Sequence, residues 1–462
     1  MTNAEEMSGA DVVDFTTGME AERVAAEPEY WFSGRGEFWV LNAAGEWVPM
    51  VERSFRRFLV SQGVRGYKIV EPDAGIREVL SPVDQVLQEV ELNRRVAFAG
   101  PLAGYPAGLH HMGGERALVT RSPRLVEPER GDWAVVGELL ENLLSSAEDG
   151  VDQTVYFFGW LRQAMECLRR GWWNVGGLCL AIAGERECGK SLLVQLIRLC
   201  FGGRQAMAYE WLVGRDMFND DVLESPLLVV DDVTADTSFK GRKHFADMIK
   251  GVVAVSGCRF RGLGKRPMTL YPFHRLVICM NLEADCIKVL PVMDDQIWDK
   301  LMLLRAYRRP MPMPVSTDVE KRAFWERLVA ELPAFLWWLE REWEAPEELK
   351  GRFGVRHFHH SEILEKLDEH SPHMRLMEFL ERALFPMYEE WRGTASDLRA
   401  ELQGEDSRLS QDEKQGLRPV AYLGEDLTNL SRKFGSRRFE YLHSKTGGKR
   451  REWCIRKEAG GD

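Results

Sequence analysis

The sequence lacks the features that mark membrane and secreted proteins. No apolar run approaches the 18 residues needed to cross a bilayer. The eight cysteines form no Cys-x-x-Cys pair, and several lie inside apolar runs, as reduced core thiols do. The first 22 residues are acidic, whereas a signal peptide begins with positive charge. We therefore expect a cytoplasmic protein that makes no membrane contact.

An excess of positive charge is also missing. The formal net charge is −11, which argues against a protein that coats nucleic acid over its whole surface. Local basic patches are still compatible with that total. With 462 residues, of which 45% are hydrophobic and 29% charged, the chain predicts a soluble protein of roughly three domains. We find no internal repeat.

Composition and periodicity change several times along the chain. Apolar runs that alternate with helical patterns predict a parallel sheet in an α/β core, preceded by a small α+β module. The predicted division comprises a disordered acidic N-terminus (1–29), an N-terminal α+β module (30–130), a helical subdomain (131–175), an α/β domain (176–345), a linker (346–373) and a C-terminal domain (374–462).

The most specific motif is a phosphate-binding loop (P-loop) of the form G-x-x-x-x-G-K-S. It follows an apolar strand and precedes an apolar-periodic helix, which is the context that the motif requires. Glycines let backbone N–H groups surround the phosphates of ATP, the lysine neutralises charge, and the serine hydroxyl binds Mg²⁺. The predicted nucleotide-binding residues are Gly184, Glu185, Arg186, Glu187, Cys188, Gly189, Lys190, Ser191 and Leu192.

Two later apolar runs end in polar side chains that suit the same site. Asp231 and Asp232 follow Leu227–Val230, 41 residues after Lys190. We expect Asp231 to be the Mg²⁺ partner and Asp232 to be the base that orients the attacking water. Asn281 ends a third apolar run, where it can bond the γ-phosphate. Taken alone, these residues also fit solvated acids at a strand end and a turn asparagine.

A first basic segment lies between the last two of these runs. Arg259, Arg261, Lys265 and Arg266 surround Gly262-Leu-Gly264, which predicts a flexible tip that carries cations. Such a tip suits sequence-independent contacts with nucleic-acid phosphates. A solvated basic loop is the alternative.

A second basic segment lies near the C-terminus. Between Ser431 and Lys457 there are ten Lys or Arg against two Glu. Helices followed by a basic hairpin predict a winged helix, with Arg432 and Lys433 on the helix presented to DNA. The cations predicted on the wing are Lys445, Lys449, Arg450 and Arg451. A basic tail that serves solubility is the alternative.

The histidine cluster at 357–360 has no Cys or acidic partner at zinc-like spacing. We interpret it as part of the polar linker.

In order and spacing, these motifs resemble those of the superfamily 3 helicases, which are AAA+ ATPases of viruses, phages and mobile elements. The resemblance covers about residues 176–339, with 184–191 as motif A, 227–232 as motif B, 276–281 as motif C and Lys250–Met268 as the basic B′ motif. Beyond the motifs, the whole chain is similar to phage primase-helicases. That likeness lies in Ala99–Tyr105, Phe158–Leu161, Glu331–Phe335 and Trp391–Ala395.

The resemblance implies a ring, commonly a hexamer, that encircles one strand of forked DNA and translocates along that single strand. It also implies an arginine finger that reaches the neighbouring subunit's γ-phosphate. Here Asp299 and Lys300 occupy the best-matching positions, and Arg305, a little over one helical turn further on, is the alternative finger. Motif B usually ends in Glu, whereas this chain has two Asp, whose shorter reach the geometry would have to offset.

Two functions therefore remain open. The first is an ATP-dependent DNA helicase of phage or mobile-element replication, acting in a bacterial host. The second is a DNA-binding P-loop ATPase without unwinding activity, such as a loader, a packaging factor or a defence switch. A small-molecule kinase would leave both basic segments without a role. We predict no primase activity, since the N-terminal module lacks an acidic metal constellation, and expect any primase or polymerase to be a separate chain.

Overall fold

A computed structural model describes residues 30–34, 36–66, 80–146, 150–216, 220–231, 233, 239–260, 268–283, 289–291, 295–369, 371–442 and 452–457. Within these ranges, the side chains of 239, 240, 259, 260 and 295 lie outside the description. The chain divides into two compact units. One comprises the residues up to Pro123 together with Cys258–Leu270, and the other comprises Arg124–Gly257 and the residues from Tyr271 onward.

The elements follow one another along the chain. The first described residues form β1 (Tyr30–Ser33), β2 (Glu37–Leu41), β3 (Trp47–Val51), α1 (Glu52–Ser61), α2 (Pro82–Asn93), β4 (Arg95–Val96), β5 (Phe98–Gly100), β6 (Gly108–Met112) and β7 (Glu115–Val119). The middle of the chain forms α3 (Ala134–Leu144), β8 (Ser145–Ser146), β9 (Val151–Asp152), α4 (Thr154–Arg170), β10 (Cys179–Gly184), α5 (Lys190–Cys200), β11 (Gln205–Met207), α6 (Tyr209–Leu212), α7 (Asp220–Glu224), β12 (Leu227–Val230) and α8 (Phe239–Val253).

The remaining elements begin with a hairpin, β13 (Cys258–Phe260) and β14 (Met268–Leu270). They continue with β15 (Arg275–Asn281), α9 (Asp295–Trp298), β16 (Leu301–Ala306), α10 (Asp318–Trp337), a π-helical turn (Trp338–Glu342), a 3₁₀ turn (Glu347–Leu349) and α11 (Ser361–Glu369). The C-terminal elements are α12 (Pro372–Phe379), a π-helical turn (Leu380–Leu384), β17 (Glu390–Thr394), α13 (Ala395–Gln403), α14 (Gln411–Gln415), α15 (Val420–Phe434), β18 (Phe439–Leu442) and β19 (Glu452–Arg456).

The first unit contains two small sheets, β3-β2-β1-β4 and β5-β7-β6, and the antiparallel hairpin β13-β14. Alternate residues of β2 pack with α1 and α2, and the stacked rings of Phe38 and Phe55 lie 4.3 Å apart at the centre of this core. A reciprocal capping box between Ser81 and Asp84 sets the start of α2.

The second unit is built on a five-stranded parallel sheet of order β11-β12-β15-β10-β16. All six residues of β10 are buried. Leu180 and Ile182 face one hydrophobic cluster, which includes residues of α3, α4, α5 and α10, while Cys179, Ala181 and Ala183 face another, which includes residues of α6 and α8. Helices thus cover both faces, as parallel strands require. The predicted α/β class with a parallel sheet is confirmed.

The chain from 357 to 369 differs from the predicted linker. His359 forms a parallel bridge with Leu303 of β16, and the backbone N–H of His360 donates to the Leu303 carbonyl at 3.0 Å. Burial, the first cause, and the neighbouring His357 lower the pKa of His359 to about 4, so its ring is neutral at neutral pH. This segment therefore extends the sheet edge. Three polar histidines gave no strand periodicity from which that pairing could be predicted.

The C-terminal elements have their own hydrophobic core, built mainly from α12, α13, α15 and the sheet β17-β19-β18. Both pairings in this sheet are antiparallel. Thr394 caps α13 through a reciprocal bond with Asp397, as the polar residue before an apolar-periodic helix predicts. No helix in the described part of the chain combines the length and the apolar character needed to span a membrane.

Candidate active site

The P-loop connects β10 to α5 at the carboxyl edge of the parallel sheet. At Gly184, a Cβ atom would lie 2.6 Å from the Ala306 carbonyl oxygen of the adjacent strand, so only glycine fits. Gly189 has φ +109°, a conformation that side chains other than glycine rarely adopt. Glu187 also has positive φ, at 59°. The two glycines of the motif therefore meet a steric and a conformational requirement of this loop.

The ammonium group of Lys190 lies inside this loop. Its Nζ donates to the carbonyl oxygens of Gly184 (3.0 Å) and Glu185 (2.6 Å) and to Oδ1 of Asn281 (3.1 Å). The lysine is only 8% exposed. Because these acceptors are neutral, they leave the positive charge uncompensated and available to an anion.

Strand register brings Asp231 and Asn281 to the same place. Asn281 pairs with Gly184 across β15 and β10, and β15 is also the neighbour of β12, which ends just before Asp231. The hydroxyl of Ser191 donates to Oδ2 of Asp231 at 3.1 Å. A hydroxyl and a carboxylate at this distance are oxygen donors of the kind that Mg²⁺ prefers. The predicted Asp232 lies outside the described residues.

Two charged side chains of the loop form ion pairs with residues outside the loop. Arg186 contacts Glu283, which follows β15, at 3.0 Å, and Glu187 contacts Arg308 at 3.8 Å. All four side chains are exposed, so these pairs add little stability. Beneath the loop, burial and the carboxylate of Asp231 raise the pKa of the Cys279 thiol, which therefore stays protonated.

Arg305, predicted as the alternative finger, belongs to this site in its own subunit. It lies in β16 rather than on a helix, and its side chain is 9% exposed. Its Nε donates to Oε2 of Glu362 at 2.8 Å, Nη2 lies 3.9 Å from the carboxylate of Glu185, and Nη1 donates to the Ala306 carbonyl. In this chain the guanidinium is buried and held by these partners, and the role of Arg305 as a finger toward a neighbouring subunit stays a prediction.

Lys300 lies at the amino ends of the parallel strands, opposite the end that carries the P-loop. It precedes β16, whose amino end is level with the amino end of β10. Its Nζ contacts Oδ1 of Asp299 at 2.6 Å and lies 5.8 Å from the ring centroid of Phe353. Lys300 is therefore remote from the P-loop of its own chain, and its role as a finger stays a prediction.

The structure describes only part of the predicted DNA-binding set. Arg432 and Lys433 lie in the last turn of α15, where Lys433 forms an ion pair with Asp368 of α11. Arg259 lies in β13, but its side chain is outside the description. The predicted residues that fall entirely outside the described ranges are Arg261, Lys265, Arg266, Lys445, Lys449, Arg450 and Arg451.

Sequence reasoning missed a buried glutamine that supports the site. Gln153 is fully buried between α3 and β16. Its Oε1 accepts from the Arg305 amide at 2.7 Å, while its Nε2 donates to the carbonyls of Arg305 (3.0 Å) and Leu144 (3.1 Å). It thereby takes the place of a neighbouring strand at the edge of the sheet. A glutamine just before a helix gives no sequence signal of such a role.

Residues 182–295 match a family of unknown function, DUF5906. The match begins inside β10 and includes the P-loop, Asp231 and Asn281. No curated protein matches the chain.

Solved structures share the fold over nearly the whole chain. The apo structure of the NrS-1 C-terminal region is 12% identical, with a TM-score of 0.51, and the match covers 93% of this chain and 96% of that one. Its A form gives 11% identity and a TM-score of 0.50 over the same shares. SCCmec type IV Cch, described as an active helicase, gives 12% identity and a TM-score of 0.37 over 91% of this chain and 90% of its own. The chain thus has the fold of the NrS-1 C-terminal region.

Proposed function

We propose that this protein is an ATP-dependent DNA helicase of the superfamily 3, AAA+ type, serving the replication of a phage or mobile element. The observation that carries the proposal is the convergence of Lys190, Ser191, Asp231 and Asn281 at one edge of a parallel sheet, with the Ser191 hydroxyl 3.1 Å from Asp231 and the Lys190 ammonium 3.1 Å from Asn281. A cation, two oxygen donors and an amide so arranged suit the hydrolysis of a nucleoside triphosphate.

Each residue has a role in this proposal. The P-loop holds the phosphates, and the Lys190 ammonium exchanges its carbonyl partners for β- and γ-phosphate oxygens. Ser191 and Asp231 hold Mg²⁺, which supplies neutralisation of the phosphate charge when bound. Asp232 orients the attacking water, and Asn281 bonds the γ-phosphate from the adjacent strand.

DNA contacts come from two places in the proposal. Arg259 lies in β13, and Arg261, Lys265 and Arg266 follow it in the sequence before β14. In the proposal these cations bind the backbone of single-stranded DNA in the channel of a ring, a hexamer in keeping with the resemblance. The C-terminal domain is a winged helix, with the basic turn between β18 and β19 as its wing. The order α12-β17-α13-α14-α15-β18-β19 and the sheet β17-β19-β18 support this assignment.

Strand displacement from forked DNA, measured with ATP and Mg²⁺, tests the helicase proposal. We expect the wild-type chain to separate strands and to form rings in electron micrographs. Lys190→Ala should abolish ATP hydrolysis, because Lys190 carries the ammonium group that lies among the loop carbonyls and beside Asn281. Retained hydrolysis in that variant would refute the P-loop assignment.

A triple variant separates the helicase from a DNA-binding ATPase without unwinding activity. Replacing Arg261, Lys265 and Arg266 with Gln should reduce strand displacement while sparing basal ATP hydrolysis. Replacing the exposed Arg322, Lys350 and Arg352 with Gln removes the same charge elsewhere and serves as the control. Wild-type protein that hydrolyses ATP and binds DNA but never separates strands would favour the alternative.

A further inference from the structure

The P-loop opens into a cavity of about 350 Å³, part of whose lining lies outside the sequence motifs. One wall is formed by residues 187–192, which are the second half of the P-loop and the start of α5. The opposite wall is apolar and is formed by Met311, Val315, Phe324 and Trp325, with Lys321 as its charged member.

The chain after β16 is held in place where it forms this second wall. The Tyr307 amide donates to the Leu143 carbonyl at 2.9 Å, and the Asn142 side chain donates to the Pro310 carbonyl at 3.3 Å. A reciprocal capping box between Thr317 and Glu320 then fixes the start of α10. Hydrogen bonds to α3 and the capped first turn of α10 therefore fix the position of this wall.

Two neighbouring aromatic residues of α10 differ in how deeply they are buried. Phe324 is 3% exposed and belongs to the hydrophobic core, whereas Trp325 is half-buried and packs against that core with part of its surface. Lys321 lies one turn before Trp325, so both occupy the same side of the helix. An aromatic ring and a flexible cation thus border one cavity.

We propose that this cavity binds the base of the nucleoside triphosphate, with Trp325 as the stacking residue and Lys321 as a hydrogen-bond donor to the base edge. The proposal rests on the proposed function, because it assumes that the P-loop holds the phosphates. A base joined to those phosphates has to occupy a volume that begins at the P-loop, and this cavity does so. Its size falls in the range of small-molecule sites, and its aromatic wall suits a flat π system.

Calorimetric titration with two ligands tests the assignment. ATP carries a base, whereas inorganic tripolyphosphate offers the same phosphates without one. In the full chain with Mg²⁺, Trp325→Ala should weaken ATP binding by about 10- to 100-fold and leave tripolyphosphate binding within about twofold. Trp325→Phe retains a ring and should restore most of the ATP affinity. Trp172→Ala removes an exposed tryptophan outside the cavity and should change neither affinity.

The outcomes separate this proposal from the proposed function. If wild-type protein binds both ligands and Trp325→Ala weakens both equally, or neither, the base site is refuted and the P-loop assignment stands. If wild-type protein binds neither ligand, the P-loop assignment fails and the base site with it. Thermal unfolding of each variant shows whether it is still folded. Trp325→Leu keeps an apolar side chain but has no ring, so it should bind ATP as weakly as Trp325→Ala.

Discussion

Replacing Arg305 with Met tests whether the buried ion pair beside the P-loop holds the sheet edge together. The substitution keeps the aliphatic length but removes a guanidinium that is 2.8 Å from Glu362 and 3.9 Å from Glu185. Removing one member of a buried ion pair typically costs about 3–5 kcal/mol, because the other charge stays behind. Glu362 is 37% exposed, so water takes up part of that cost. We therefore expect a loss of about 2–3 kcal/mol.

Thermal unfolding followed by circular dichroism measures this loss. Since the entropy of unfolding grows with chain length, the expected change lowers the Tm of the second unit by about 3–4 °C. A double-mutant cycle with Glu362→Gln isolates the pair and should return a coupling free energy of about 1–2 kcal/mol at pH 7. A coupling below about 0.5 kcal/mol would refute the reasoning, since it would mean that the two charges do not stabilise each other.

The pH dependence of the same cycle provides a second check. Burial raises the pKa of Glu362, but the hydrogen bond and charge of Arg305 outweigh it, so the pKa lies below its usual value. A lowered carboxyl pKa stabilises the fold above the unfolded value of about 4.3, and this contribution is lost as the pH falls through the folded value. The coupling should therefore be lost as the pH falls below the unfolded value of about 4.3.

A mixing experiment separates the structural role of Arg305 from a finger in trans. Lys190→Ala subunits would retain the finger, and Arg305→Met subunits would retain the P-loop lysine. If Arg305 acted on a neighbouring subunit, Arg305→Met would lose ATP hydrolysis, and mixing it with Lys190→Ala would restore part of that activity. We expect no restoration, because Arg305 makes its contacts within its own chain.

Three further predictions follow from single contacts. Asn281→Ala removes the amide bonded to the P-loop lysine and should reduce turnover by about 10- to 100-fold while changing the Kd for ATP by less than about threefold, as steady-state and binding assays would report. Gly184→Ala forces a Cβ atom to within 2.6 Å of the Ala306 carbonyl and should destabilise the protein by about 1–3 kcal/mol in thermal unfolding. An unchanged stability would mean that the two strands move apart without cost. Burial raises the pKa of Asp426 to about 6 against the opposing effect of Arg418, and one of its carboxylate oxygens has no hydrogen-bond partner. A raised carboxyl pKa makes stability increase as the pH falls from 7 to 4, and Asp426→Asn should remove that slope.

The parallel sheet and the P-loop could be predicted because several signals agree there. Strands buried on both faces give continuous apolar runs, and the glycine, lysine and serine positions of the loop each meet a local requirement. The placement of Asn281 beside Gly184 depends on strand order, which follows from β15 lying between β10 and β12. Strand order is a property of the whole sheet, so the apolar run that ends in Asn281 indicated a place in the site but not the pairing with Gly184.

Arg305 shows why other parts of the site could not be predicted. The run Leu301–Ala306 is short and almost wholly apolar, so its periodicity fits a helix or a strand equally well. The sequence interpretation measured the separation of Lys300 and Arg305 in helical turns, whereas Arg305 lies in a strand and is buried. Its partner Glu362 comes 57 residues later, in a segment interpreted as a linker. Pairing over such a distance has no signature in a single sequence.

A count of Lys and Arg residues near the C-terminus has a related limit, because it ignores the acidic side chains with which they pair. Among the ten Lys or Arg counted there, Arg456 contacts Glu390 at 2.7 Å and Glu440 at 2.8 Å, and Arg438 lies 3.8 Å from Glu381. Lys433 pairs with Asp368, which belongs to α11 and lies 65 residues earlier. DNA that binds through Lys433 must therefore compete with a carboxylate of its own chain, and breaking that pair offsets part of the phosphate attraction. If the proposed winged helix binds DNA, its phosphate contacts should consequently depend more on Lys445, Lys449, Arg450 and Arg451 than the count of ten suggests.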